Sequence, residues 1–388
     1  MFGRAPGATK SMRYAHIIGW GKYAPAKVLT NADISKMVDT TDEWIRDHTG
    51  ISRRHVVAEH ETCASISAAA AQHALDEAGI GAHQIDLIIV ASTTPDNTFP
   101  STACGVQDIL GAGQAAAFDL TAACSGFIYA LSMATDSIRM GTHTRALVIG
   151  AEMLTRIVDW KDRNTCVLFG DGAGAVVLQA SDQPGGVLAS IMHADGAGGE
   201  FLYLDKKSQF VKMNGREVYR FATRVMDKAT RDVLQKVGWR PAQVDLVVPH
   251  QANLRIIDSA AKGLGIPRER FFTNIHEYGN TSAASIPIAL CDAIAAGRLK
   301  TNQKAVFVGF GGGLTWGAVA VQWNARKEVP RAERAVNRAG GLLSGLRNRV
   351  RKAANRSAGK VFGTTDPTLV DRVSKTAEKV KPVAKNSE

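Results

Sequence analysis

Leu75–Val90 reads LDEAGIGAHQIDLIIV, and further along the chain Leu234–Pro249 reads LQKVGWRPAQVDLVVP. In each copy a helical pattern stops at a glycine, Gly79 or Gly238, the residue best suited to end a helix. In each an aspartate, Asp86 or Asp245, then opens a short apolar run suited to a strand buried on both faces. The same spacing lays Ala146-Leu-Val-Ile-Gly150 over Ala305-Val-Phe-Val-Gly309, and TAACSGFIYAL (121–131) over NTSAASIPIAL (280–290). Three blocks at one offset, without gaps, mark an internal duplication. Helices alternating with buried strands predict an α/β fold of two similar halves, placed at residues 12–181 and 182–325.

Outside these halves the composition changes. From Arg326 to the C-terminus there are sixteen Lys/Arg and six Asp/Glu, a net +10. The chain carries +11 in all, so residues 1–325 are nearly neutral, which argues against a nucleic-acid-binding body. Residues 326–388 read as a basic extension, partly helical or disordered. Leu342, Leu343, Leu346 and Val350 fall at helical spacing among Arg338, Arg347, Arg349, Arg351 and Lys352. Such a segment is either a solvated tail or a basic helix that meets an anionic membrane or an acidic carrier protein. Residues 1–11 are basic, lack an apolar signal core and read as a flexible extension. No run of about 18 apolar residues predicts a membrane span, and a cytoplasmic protein is expected.

Five cysteines, Cys63, Cys104, Cys124, Cys166 and Cys291, are scattered and never spaced C-x-x-C, which predicts neither a disulfide framework nor a zinc site. Cys124 differs from the others in its surroundings. Small residues flank it in Thr121-Ala-Ala-Cys-Ser-Gly-Phe127, and an apolar helical pattern follows. A helix N-terminus favours a thiolate, and a thiolate attacks thioesters; a buried structural cysteine is the competing reading. His250 follows the apolar run of the second copy, at the strand end where α/β folds place ligands. Asn280 opens the helical block that corresponds to the one carrying Cys124, and helix capping alone would account for it. If the halves pack about a pseudo-two-fold axis, the starts of those two blocks meet, and Cys124 comes near Asn280. Gly311-Gly-Gly313 is a turn whose amides are suited to polarising a carbonyl oxygen.

Ala122-Ala-Cys-Ser-Gly126, Pro249-His-Gln-Ala-Asn-Leu-Arg255, Gly279-Asn-Thr-Ser-Ala-Ala-Ser285 and Phe310-Gly-Gly-Gly-Leu-Thr-Trp-Gly317 resemble the signature blocks of β-ketoacyl-acyl-carrier-protein synthase III. Asp42-Glu-Trp-Ile45, Phe99-Pro-Ser101 and Phe169-Gly-Asp-Gly-Ala-Gly174 match too, so the resemblance runs from about Tyr14 to Trp323. It implies a thiolase-like fold, two duplicated βαβ-type halves with stacked sheets and helical layers, and a homodimer. By it Cys124 takes an acyl group from acyl-coenzyme A, a substrate, and no metal or redox cofactor is required. Malonyl-acyl carrier protein then loses carbon dioxide, with His250 and Asn280 stabilising the enolate-like charge, and the product is a 3-oxoacyl-acyl carrier protein. The backbone amides of Cys124 and Gly312 would form the oxyanion hole. Trp44 and Arg163 match positions that sandwich the adenine of coenzyme A, and Arg255 a cationic position at the tunnel mouth. Phe99 and Phe310 match acyl-pocket positions, Phe99 reaching into the partner subunit. The family's Arg-Thr-Gly is His48-Thr-Gly50 here, which leaves the acyl donor open. Two other readings stand beside fatty-acid initiation: a condensing enzyme of polyketide or secondary metabolism, and a non-catalytic thiolase-fold partner of a carrier protein.

Overall fold

A computed structural model describes residues 13–324. The extensions assigned to 1–11 and 326–388, and the contact expected of the basic tail, lie outside the described residues.

The first half builds a five-stranded sheet from β1 (Tyr14–Tyr23), β2 (Leu87–Ala91), β3 (Ala116–Leu120), β4 (Arg145–Met153) and β5 (Asp171–Ser181). Its spatial order is β1-β5-β4-β2-β3. The second half builds a four-stranded sheet from β6 (Gly186–Ala194), β7 (Leu246–Pro249), β8 (Lys304–Gly311) and β9 (Thr315–Gln322), in the order β7-β8-β9-β6. Strands β2 and β4 run parallel with Leu87 opposite Ala146, and β7 and β8 run parallel with Leu246 opposite Ala305. Leu246 and Ala305 are the repeat counterparts of Leu87 and Ala146, so the duplication keeps its register.

The two aspartates explain why. The Asp86 carboxylate accepts the backbone N–H groups of Thr144 (2.7 Å) and Arg145 (2.9 Å), where β4 begins. Asp245 likewise accepts the N–H of Lys304 at 2.8 Å, where β8 begins. Each side chain pins the next parallel strand at its first residue, and a charged acceptor makes that bond stronger than a neutral one. A slip by one residue would turn a buried face to solvent. Gly79 and Gly238 stop the preceding helices at φ of 66° and 68°, a left-handed turn that glycine adopts without penalty.

Helices α1 (Asp42–Thr49), α2 (Cys63–Ala78), α3 (Thr102–Leu110), α4 (Gly126–Met140), α5 (Gly215–Lys236), α6 (Leu254–Leu264) and α7 (Ser285–Ala295) complete the layers. Helices α4 and α7 lie between the sheets: Phe127, Leu131, Ile286 and Leu290 pack with Ile89 and Val176 of one sheet and Val248, Phe307 and Val319 of the other. Each such fully buried side chain contributes about 1.5–3 kcal/mol of transfer free energy. Helices α2 and α3 cover the outer face of the first sheet, α5 and α6 that of the second. The result is five layers, helix–sheet–helix–sheet–helix. The two halves differ at β3, whose repeat counterpart is the short helix Ile275–Tyr278.

Candidate active site

The two central helices are each preceded by one tight turn, Ala123–Ser125 before α4 and Ser282–Ala284 before α7. Neither opens on a glycine, yet Ala123 and Ser282 have φ of 46° and 47°. A non-glycine residue held there costs of order 1–2 kcal/mol, and it persists where surrounding structure determines it. Here the turns pack against each other at the junction of the halves. Cys124 sits in the first turn. Asn280 stands just before the second, its Oδ1 accepting the Ser282 N–H at 2.8 Å. The Asn280 backbone is fixed in turn by N–H to Leu168 O (2.9 Å) and by accepting the Gly170 N–H (3.0 Å).

His250 follows β7 directly and is fully buried. Its Nδ1 lies 2.6 Å from Ser285 Oγ, and its ring meets Phe310 edge-on with centroids 5.3 Å apart. A methyl placed on Gly309 would stand 3.6 Å from Cys124 O and 3.7 Å from His250 Cβ, so the two residues flank that glycine. Gly311 comes closer still, and a Cβ there would lie 2.5 Å from Cys124 N. Gly312 is beside the same turn, its would-be Cβ 3.6 Å from Ala123 Cβ. Cys124, His250, Asn280, Phe310 and the Gly311–Gly312 backbone therefore converge on one buried place.

Burial governs the charges there. It pushes the Cys124 thiol up to about 12, with the Glu152 carboxyl adding to the rise and the Ser282 hydroxyl opposing it. The helix start predicts a lowered thiol; removing the sulfur from water outweighs that contribution. Burial lowers His250 to about 3, so the ring is neutral at physiological pH.

The other residues picked out in the sequence lie around α1. The Arg163 guanidinium stands 4.7 Å from the Trp44 ring centroid, and the His48 ring stacks on Trp44 at 4.3 Å. Arg255 Nε donates to Asp47 O at 3.0 Å, and Asn253 Nδ2 to His48 O at 2.8 Å, which ties α6 to α1. Arg46 is engaged with Asp42 at 2.8 Å. Phe99 joins none of these residues within the chain; it is 85% exposed. Ser285, Ser282 and Glu152 escaped sequence reading. Glu152 hides in an apolar run, and both serines sit in a block of small residues that reads as ordinary helix start. Their signal is positional, since in the repeat Ser282 is the counterpart of Ala123 and Ser285 that of Gly126. Among the described residues no group of three or more His, Cys, Asp and Glu is placed to hold a metal ion. No described helix is long and apolar enough to cross a membrane.

Five alternating layers built by duplication, with a cysteine turn at the centre facing histidine and asparagine from the other half, define a thiolase-fold condensing enzyme. Residues 118–196 match the family described as 3-oxoacyl-[acyl-carrier-protein (ACP)] synthase III, and residues 234–323 its C-terminal domain. The β-ketoacyl-[acyl-carrier-protein] synthase III of Bacillus pumilus is 50% identical over 309 residues, covering 80% of this chain and 99% of that protein. The crystal structure of 3-oxoacyl-[acyl-carrier-protein] synthase III from Aquifex aeolicus superposes with a TM-score of 0.78 at 51% identity, covering 80% of this chain and all of that one. A priming β-ketosynthase of the R1128 polyketide pathway superposes at 0.79 with 33% identity, over 83% of this chain and all of that one. The chain belongs to the β-ketoacyl-acyl-carrier-protein synthase III family and is an acyltransferase of the condensing type.

Proposed function

We propose that the chain initiates fatty-acid synthesis by condensing an acyl-coenzyme A primer with malonyl-acyl carrier protein through an acyl group held on Cys124. The observation that carries this reading is the meeting of the two turns, which brings Cys124, His250 and Asn280 from opposite halves into one buried site. The amides of Cys124 and Gly312 would hold the oxyanion of acyl transfer, where preorganised donors act in a water-poor setting. Loss of carbon dioxide from the malonyl unit itself generates the carbon nucleophile, so the chemistry requires neither metal nor redox group.

The role proposed for His250 follows from its hydrogen bonds. Ser285 Oγ accepts the Gln251 N–H at 3.4 Å, which leaves the serine proton for His250 Nδ1 at 2.6 Å. The neutral ring then carries its own proton on Nε2. That N–H, together with the Asn280 amide, would donate to the thioester oxygen as enolate charge develops. Trp44 and Arg163 would grip the adenine of coenzyme A, with Arg255 at the pantetheine entrance. Phe310 would wall the acyl pocket, and Phe99, exposed in the single chain, would close the pocket of a second copy in a homodimer.

The test is mass spectrometry of Cys124 after incubation with a mixed pool of acyl-coenzyme A primers. Wild type acquires one acyl mass and Cys124→Ala acquires none while keeping its fold, because truncating one small side chain rarely unfolds a large domain. Acylation of the alanine variant at wild-type rate would remove the reading. A priming role in polyketide synthesis is favoured by the likeness to the R1128 enzyme, and a preference for longer or unusual acyl groups in the same pool would select it.

A further inference from the structure

Glu152, on β4, is a carboxyl group at this junction to which the proposed condensation gives no task. It is fully buried. Its carboxylate receives hydrogen bonds from Thr93 N–H (3.2 Å), Thr93 Oγ1 (3.0 Å), Thr94 Oγ1 (2.7 Å), Ser92 Oγ (3.4 Å) and Ser282 Oγ (3.0 Å). All of these donors are neutral. The Thr94 hydroxyl already accepts the Met153 N–H at 2.8 Å, so its own proton points at Glu152. The group is therefore built as an acceptor, although burial alone pushes its pKa up. The titratable groups facing it are the thiols of Cys124 and, from α2, Cys63.

Ser282 joins Glu152 to the nucleophile. It lies in the turn packed against the Cys124 turn, its Oγ donates to Glu152, and the same hydroxyl is hydrogen-bonded with the Cys124 thiol. His250 is not available for this task, since its Nδ1 is engaged with Ser285.

We propose that Ser282 relays the Cys124 thiol proton to Glu152, which stores it while the cysteine is acylated. In the first step the Cys124 S–H proton passes to Ser282 Oγ as the serine proton passes to Glu152. The sulfur bonds to the thioester carbonyl carbon and the bond to the coenzyme A sulfur breaks; that thiolate takes a proton from water. In the second step the malonyl carboxylate leaves as carbon dioxide and the resulting carbanion bonds to the acyl carbon. Cys124 sulfur departs as a thiolate and regains its proton from Glu152 through Ser282. One proton is taken up from solvent per turnover, matching the coenzyme A thiol released. The scheme rests on Cys124 being the acyl acceptor.

Two measurements test it on the full-length enzyme. Infrared difference spectra of acylated minus free enzyme should show a deuterium-sensitive C=O band of a protonated carboxyl group, absent in Glu152→Gln. Rates of Cys124 alkylation by iodoacetamide against pH should fall about 100-fold near neutrality in Ser282→Ala, the low end of proton-transfer contributions, and converge with wild type in strong base. Ser282→Ala is the safeguard if Glu152→Gln does not fold, because Ala123 already holds the same left-handed conformation in the other copy. An acyl-enzyme without the carboxyl band, or an alkylation profile unchanged in Ser282→Ala, overturns the relay. Absence of any acyl mass on Cys124 instead overturns the reading beneath it, and the alkylation profile still decides the relay.

Discussion

Replacing Gly311 by alanine is the sharpest steric test of the site. The added methyl would stand 2.5 Å from Cys124 N, 3.1 Å from Ala123 Cβ and 3.2 Å from Cys124 Cα. Non-bonded heavy atoms rest at about 3.5–4 Å, so the nearest contact must open by roughly 1 Å. The obstructing atoms are backbone of the cysteine turn and cannot swing aside. Overpacking of this kind costs about 1–3 kcal/mol of stability. The larger effect is on chemistry: a displacement of about 1 Å in a reacting group costs on the order of 100-fold. Gly309→Ala provides the comparison, since its methyl meets the flexible Ile286 Cδ1 at 3.2 Å and Cys124 O only at 3.6 Å. Single-turnover acylation with rapid quenching, alongside thermal melts, measures both quantities. Gly311→Ala should acylate about 100-fold more slowly and melt lower, and Gly309→Ala should suffer less on both counts. Wild-type acylation by Gly311→Ala would refute a rigid support of the cysteine by the glycine turn.

His250→Ala and Asn280→Ala should still acylate Cys124 but lose malonyl decarboxylation, measured as carbon dioxide release in single turnover; wild-type release by both would reject their assignment to the enolate. The buried neutral His250 should also mark the pH dependence of stability. Its folded pKa, about 3, lies below the unfolded value of about 6.5, so the unfolded chain binds more protons between them. Its contribution is therefore complete above about pH 6.5 and is lost as pH falls toward 3, up to a few kcal/mol. Denaturant melts of wild type and His250→Asn should diverge less at acid pH than at neutrality, and parallel curves would contradict the burial. Phe99→Thr should admit longer primers if its ring closes the partner's pocket, and an unchanged chain-length profile in the mixed-primer assay would count against that placement.

The duplication was legible because its markers are local necessities. A glycine that ends a helix and an aspartate that pins the next strand keep their spacing wherever the architecture is kept, as Gly79, Gly238, Asp86 and Asp245 do. The loss of one strand from the second half was less visible: Ile275-His-Glu-Tyr278 has neither the alternation nor the apolar run that would betray a helix in place of β3. The nucleophile's position could be read from its small neighbours, but its acidity could not. A helix terminus contributes at most about 2 kcal/mol to a charge, and how deeply the turn is buried depends on the opposite half of the chain. Glu152 was hidden for a similar reason. Its partners come from Ser92–Thr94 and from Ser282, far off along the chain on either side of it, so no local pattern distinguishes it from a stray acid in a strand.

The facing left-handed turns at Ala123 and Ser282 also bear on how this sequence can drift. Each turn is held in an unfavourable backbone conformation by contact with the other, so neither position is free to be judged alone. A larger residue accepted at 123 changes what fits at 282, and a β-branched residue is poorly suited to either. Two sites in opposite halves of the chain should consequently record each other's substitutions in a lineage as adjacent residues in a core do. That coupling would persist even in descendants that had given up the thiol, for as long as the two halves stayed joined back to back.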